Sequence, residues 1–263
     1  MLRIEGISKT FFAGTVNEKQ ALKNVSLEMK TGDFITVIGG NGAGKSTLLN
    51  SIAGVFKVDS GKIYIDDIDV TNMPEHKRAA YIGRVFQDPM LGTAAGMMVE
   101  ENLAIAARRG KKLGLRWSFR DDEFAEFKEK IAHLNLGLED RLKNRMGTLS
   151  GGQRQAITLL MATFRKPKLL LLDEHTAALD PKTAEKVLGL TQQIVEENGL
   201  TTLMITHNMR DALRFGNRLL MLNDGQILLD IRGEEKKKMT VHDLLEAFEH
   251  SGGEDVSDRM LLS

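Results

Sequence analysis

Cysteine is absent from this 263-residue chain, which removes disulfide stapling and thiolate chemistry from consideration and suits a reducing compartment. Charge of one sign is missing too. Lys plus Arg and Asp plus Glu each number 36, so the formal net charge is zero and any nucleic-acid-binding face would have to be a local patch. Long apolar runs are also lacking: LLLL at 169–172 and LLML at 219–222 are strand-sized, far short of the ~20 residues a membrane span needs. The opening MLRIEGISKTFF has no apolar core of signal-peptide length. No membrane crossing is expected of this chain. What is present, 42% hydrophobic and 27% charged residues, is the balance of an ordinary globular protein. The length suffices for one large domain, or for a domain with an inserted subdomain, around a sizeable core.

Half-alternating segments at 2–8 and 22–30 predict antiparallel strands joined by AGTVNEKQ. DFITVIGG reads as a buried strand entering a glycine-rich turn, and GKSTLLNSIAG as the helix after it. GKIYIDD and YIGRVFQ are further strand candidates, with a short helix at PEHKRAA that places Pro74 in its first turn. From 98 to 165 strand signals give way to three helical patterns. In the middle one Phe124, Phe127, Ile131 and Leu134 recur at helical spacing after a candidate cap at Ser118. The α/β alternation then resumes with KLLLLDE, a helix from Pro181 ended by Gly199, TTLMITH and a short helix. RLLMLNDGQILLDI predicts a hairpin with an Asp-Gly turn, and VHDLLEAFEH a final helix after Thr240. The expected whole is a single α/β domain over 1–263. A helical insertion occupies about 90–165, no internal repeat is visible, and residues 250–263 form a polar tail.

GGNGAGKS, between a buried strand and a helix, fits a phosphate-binding loop. Gly39, Gly40, Asn41, Gly42, Ala43 and Gly44 let backbone N–H groups wrap the phosphates. Lys45 supplies a fixed positive charge, Ser46 a hydroxyl for Mg²⁺ and Thr47 another donor. KLLLLDEH is its partner signal. Four leucines suit a strand buried on both faces; Asp173 at its end suits a Mg²⁺ shell reached through water, and Glu174 a carboxylate that polarises attacking water. A second helix start with bare N–H groups, LSGGQ at 149–153, raises the question of why one chain carries two phosphate cradles.

The order ISKTF, GGNGAGKST, VFQDP, LSGGQ, LLLLDE, AALD and MITH resembles the ATP-binding cassette (ABC) family over essentially the whole chain, as one cassette. The resemblance implies an α/β P-loop NTPase fold of the ABC nucleotide-binding type, with an antiparallel β subdomain and an inserted helical subdomain. It implies ATP and Mg²⁺ as ligands and two cassettes packed head to tail. Each ATP then lies between one chain's Lys45 loop and the other chain's Ser150, Gly151, Gly152 and Gln153. Phe11 falls where the family places a ring that stacks on adenine, with Phe12 one register away. Gln87 would sense Mg²⁺ and the γ-phosphate, and His207 would bond that phosphate and hold the attacking water. Asp180 would bridge the subunits; it also suits an N-cap for the helix opened by Pro181, and both roles are compatible. His175 departs from the proline common there in relatives. The DEHTAALDP pattern resembles importer ATPases linked to aromatic amino acids or other small solutes.

The implied partners are a second cassette, identical or not, and separate permease subunits, with a solute-binding protein as a further candidate and no nucleic acid. The implied location is peripheral, on the cytoplasmic face of the cell membrane. MLGTAAGMMVEENL, just after Gln87, suits either a permease docking stretch or an ordinary loop and helix. The basic stretch at 108–117 suits lipid headgroups or a solvated charge run. The competing class is a cassette ATPase acting on nucleic acid, ribosomes or cofactor assembly.

Overall fold

The computed structural model of the protein describes residues 1–110 and 121–250. From the N-terminus, β1 (Leu2–Phe11), β2 (Lys19–Met29) and β3 (Phe34–Gly39) lead to α1 (Lys45–Ala53). β4 (Ser60–Ile65), β5 (Ile68–Asp69), α2 (Glu75–Arg78) and β6 (Ile82–Val85) follow. Next come the helices α3 (Val99–Ala107), α4 (Asp121–Ala132) and α5 (Gly151–Thr163), then β7 (Leu169–Asp173) and α6 (Pro181–Asn198). The chain continues through β8 (Thr201–Ile205), α7 (Met209–Arg214), β9 (Arg218–Asn223), β10 (Gln226–Arg232), α8 (Gly233–Lys238) and α9 (Val241–His250). Two compact units divide it: one combines Met1–Arg78 with the chain from Leu200 onward, the other is Ala79–Gly199.

The first unit holds two sheets. The antiparallel one has the order β2-β1-β4-β5. Period-2 burial explains its start, with Leu2 and Ile4 inward and Arg3 and Glu5 facing solvent; a register shift at left-handed Gly6 then brings Ile7 inward. The second runs β10-β9-β3-β8, with β3 parallel to both β8 and β9. FITVIG in β3 and TTLMI in β8 are buried throughout, as strands covered on both faces require. Helices α7 and α9 pack on this sheet through Met209, Ala212, Leu244 and Phe248.

Two turns carry the chain between strands with left-handed residue pairs. Asp66 and Asp67 have φ of 45° and 54°, so the segment read as one strand, GKIYIDD, ends at Ile65 and turns into β5. Asp224 and Gly225, φ 42° and 76°, form the expected hairpin turn with both central residues left-handed. That turn is also tied to the phosphate loop: Gly225 N donates to Ala43 O (3.1 Å) and Lys23 N donates to Gly225 O (2.8 Å).

Arg78 is 2% exposed and donates to the carbonyls of Ser51 and Ile52 near the end of α1, both at 2.8 Å, and to Met73 and Thr71. A cation there complements the negative end of the α1 dipole. Burial pulls its pKa down to about 10, so it stays charged at neutral pH.

In the second unit β6 and β7 pair in parallel, and Leu169, Leu170, Leu171 and Leu172 are wholly buried, as the leucine run predicts. α4 buries Phe127 and Ile131, and Leu134 just beyond it, with Phe127 edge-to-face on Phe164. Phe124 departs from the expected apolar stripe and is 36% exposed, in the first turn of the helix. α6 spans the predicted helix from Pro181 and stops at left-handed Gly199. The Ser118 cap, the polar tail from 251 and the basic stretch from 111 lie outside the described residues.

Candidate functional site

The phosphate loop belongs to the first unit. α1 begins after Gly44, whose φ of 101° and lack of a side chain leave the helix start with no side-chain cap. A Cβ on Gly44 would lie 2.5 Å from the carbonyl oxygen of Ala21, so no other residue fits without displacing β2. The first-turn N–H groups of Lys45, Ser46 and Thr47 have no helical partner by geometry, which makes the start of α1 an anion site. The Lys45 side chain folds back into the loop, donating to Gly39 O (2.8 Å) and Gly40 O (3.0 Å), and is almost fully buried.

β8 runs beside β3 with Ile205 opposite Val37, and Thr206 N donates to Val37 O at 3.1 Å. His207 therefore leaves the sheet at the same carboxyl edge as Gly39, the edge where open α/β sheets bind ligands. Asn208, the next residue, caps α7 by accepting from Asp211 N. Phe11, at the end of β1, is held edge-to-face on Phe56 at 5.2 Å. Phe12 has φ 54° and a ring exposed to 69%.

In the second unit Val85 pairs with Leu172, so Gln87 and the Asp173–Glu174 pair leave β6 and β7 at one edge. Glu174 adopts a left-handed backbone, φ 46°, uncommon for a residue with a side chain. His175 turns inward. Its Nε2 lies 3.0 Å from Thr191 Oγ1, whose own hydrogen goes to Val187 O at 2.8 Å. The hydroxyl can then only accept, so His175 carries its proton on Nε2. Burial pushes its pKa down to about 4, and the ring is neutral. The residue after Glu174 is thereby anchored to α6.

The LSGGQ segment starts α5 as expected, with a reciprocal cap: Ser150 Oγ accepts from Gln153 N (3.3 Å) and Gln153 Oε1 accepts from Ser150 N (3.2 Å). That uses the third helical amide; of the two before it, Gly151 is exposed and Gly152 is buried. α6 begins alongside. A Cβ on Gly152 would sit 2.1 Å from Thr183 Cγ2. Asp180 caps α6 by accepting from Thr183 N at 3.1 Å, and hydrogen bonding from the Thr183 side chain, then from its backbone, holds the carboxyl below the usual range. A cavity of about 620 Å³ opens here, lined by Ser150, Gly152, Gln153, Thr183 and Lys186 among others.

Each unit thus assembles part of the expected set: the Lys45 loop and His207 in one; Gln87, Asp173 and Glu174, with Ser150–Gln153 beside Asp180, in the other. Sequence reasoning missed Arg84. Its Nη2 reaches Asp173 Oδ2 at 3.5 Å, and its guanidinium lies 4.5 Å from the Phe86 ring centre. The available signal was a lone arginine inside the apolar strand YIGRVFQ.

A bare-ended α1 behind a glycine loop, a capped second helix start and an acidic strand end define an ATP-binding cassette. A family model described as ABC transporter matches residues 22–177, more than half of the chain, and the protein belongs to that family. It is 45% identical over 251 residues to the Tyrosine transport ATP-binding protein of Clostridioides difficile (strain R20291), covering 95% of this chain and 100% of the relative. Among solved structures, the ADP conformation of MJ1267, an ATP-binding cassette of an ABC transporter, matches with TM-score 0.77 and 32% identity over 97% of this chain and 99% of that one. The dimeric MJ0796 cassette of Methanocaldococcus jannaschii, in a post-hydrolysis state bound to ADP and Pi, gives 0.75 and 30% over 88% and 98%. The fold is the P-loop NTPase cassette, and the protein is a transport-associated ATPase that binds and hydrolyses ATP. No helix among the described residues is long and apolar enough to cross a membrane.

Proposed function

We propose that this chain powers import of a small solute, an aromatic amino acid foremost, by hydrolysing MgATP in a head-to-tail pair of cassettes docked on separate permease subunits at the cytoplasmic face of the membrane. The observation that carries the ATP chemistry is the uncapped start of α1 with Lys45 folded into its loop. The full-length likeness to a tyrosine-transport relative supports the solute class.

Gly39 to Thr47 bind the phosphates through backbone N–H groups, Lys45 offsets their charge, and Phe11 stacks on adenine. Among the described residues no three His, Asp or Glu side chains gather as a metal cage. The donors available are the hydroxyl of Ser46, the amide oxygen of Gln87 and the carboxylate of Asp173. These hard oxygens suit Mg²⁺ that arrives on its nucleotide and keeps part of its water. When bound, Mg²⁺ offsets charge on the transferring phosphoryl group. Glu174 accepts a proton from the attacking water, and His207 holds that water against the γ-phosphate. Ser150, Gly151, Gly152 and Gln153 receive the γ-phosphate of the partner's ATP, and Asp180 meets the partner subunit. The two cradles serve two different nucleotides.

Docking on the permease falls to the stretch after Gln87, where Met90, Leu91 and Met98 are 44%, 71% and 39% exposed. Apolar side chains that adapt their shape suit reception of a short permease helix. The test is uptake of labelled tyrosine into vesicles carrying the chain with its permease. Uptake should require ATP, and substitutions at 92–98 should lower it while ATP binding by the free chain is unchanged. Uptake that persists without the cassette, or a cassette that never associates with the permease, would overturn the reading.

A further inference from the structure

We propose that Arg84 is a positioning residue that holds the Asp173 carboxylate in competition with the divalent cation, and so sets how much Mg²⁺ the nucleotide site requires. The proposal rests on the metal-shell role given to Asp173 above.

The register explains how the two groups meet. Arg84 lies opposite Leu171 across the β6–β7 pair, and Asp173 lies two residues further along the same face. That is about 6.6 Å of strand, within reach of a long basic side chain. Phe86 occupies the matching position two residues beyond Arg84, and its ring lies 4.5 Å from the guanidinium carbon. The aromatic face supports the guanidinium that reaches the carboxylate. Phe86 is fixed in turn, because its carbonyl accepts from Gln155 Nε2 of α5 at 3.3 Å.

The contact is a long one. At 3.5 Å, with the two side chains 13% and 16% exposed, it is an attraction between charges and not a short two-pronged clamp. Such a contact orients Asp173 with less hold than a short bidentate pair would have. A positive charge so close also lowers the pull of the carboxylate on any second cation.

The experiment uses the full chain at saturating ATP and follows the melting midpoint as MgCl₂ is raised. Arg84→Met keeps the stem over Phe86 and removes the charge; Arg84→Lys keeps the charge. Arg84→Met should reach half of its Mg²⁺-dependent stabilisation at about three- to tenfold lower Mg²⁺, with Arg84→Lys near the parent. Asp173→Asn should move the half-point upward. If Asp173→Asn shifts and Arg84→Met does not, Arg84 only packs β6 and the inference fails while the role of Asp173 stands. If neither shifts, the metal role of Asp173 itself falls, and the inference with it. An Arg84→Lys shift as large as that of Arg84→Met would also overturn it, since charge would not be the cause.

Discussion

Glu174 directly follows β7, four leucines and Asp173, with its backbone in the left-handed region, a conformation that costs of order 1–3 kcal/mol. The neighbour His175, anchored on Thr191, holds the turn in that shape. If Glu174 accepts the proton of the attacking water, Glu174→Gln should retain ATP binding and lose turnover by about 10²–10⁴-fold. Phosphate release and nucleotide affinity, measured on one preparation, separate the two. A second residue-scale prediction concerns acid stability. Asp230 is gripped by Arg218 through two 2.6 Å bonds and by Arg232 at 2.8 Å. Burial works to raise its pKa, but these bonds and charges prevail and hold it at about 2, below its ordinary 3.8. The unfolded chain therefore takes up the proton first. The stabilisation is complete above pH 3.8 and is lost as pH falls through 2. Because the carboxylate is a third exposed, solvent screening leaves about 1 kcal/mol in that titration. Asp230→Asn should lower stability at pH 7 by about 1–3 kcal/mol and flatten the decline below pH 4; urea melts across pH 2–7 read both.

At the scale of elements, segments with a clear period or a terminus signal were legible, the short α2 and α7 included, and β5 and α8, which have neither, were not. α6 was readable to its ends because Asp180-Pro181 and Gly199 are both chemical signals of termini. β5 has two residues, too few for any period, and went unseen. α8, GEEKKK, went unseen because it offers no apolar stripe. It docks instead through Lys236, which is 3% exposed and donates to the carbonyls of Phe215 and Gly216. No local pattern announces a cation whose partners are backbone oxygens some twenty residues away. The approach of α5 to α6 is testable. Gly152→Ala would drive a methyl into Thr183 Cγ2 and should cost about 1–3 kcal/mol of thermal stability. Thr183→Ser removes that methyl, so the double variant should recover most of the loss; no recovery would place the constraint elsewhere.

For the whole molecule, the order of motifs along the chain made the cassette family and its fold legible, because phosphate chemistry demands fixed residue types at fixed spacings. Arg84 escaped because its role arises from strand pairing across 89 residues of chain, which spacing cannot reveal. The two-cradle reading makes its own prediction about assembly. A Lys45→Ala chain mixed with a Ser150→Arg chain forms one composite site with both lesions and one with neither. The mixture should regain the ATP-driven dimer that each variant lacks alone, seen by size-exclusion chromatography in a Glu174→Gln background. Folded variants that stay monomeric when mixed would confine the LSGGQ segment to capping its own helix.

The turn at Asp224–Gly225 has a practical side. Tight hairpins at the surface are the usual place to graft a tag or a reporter, since added length there is normally tolerated. Here Gly225 is hydrogen-bonded to Ala43 and Lys23, and a Cβ on it would lie 2.9 Å from the Ala21 carbonyl. An insertion at 224–225 would push directly on the backbone that cups the phosphates. The loss would appear as weakened ATP affinity in a protein that still folds, some 180 residues along the chain from the phosphate loop. The same coupling makes a small fluorophore at Asp224, whose side chain is 80% exposed, a reporter of loop occupancy without touching the loop itself.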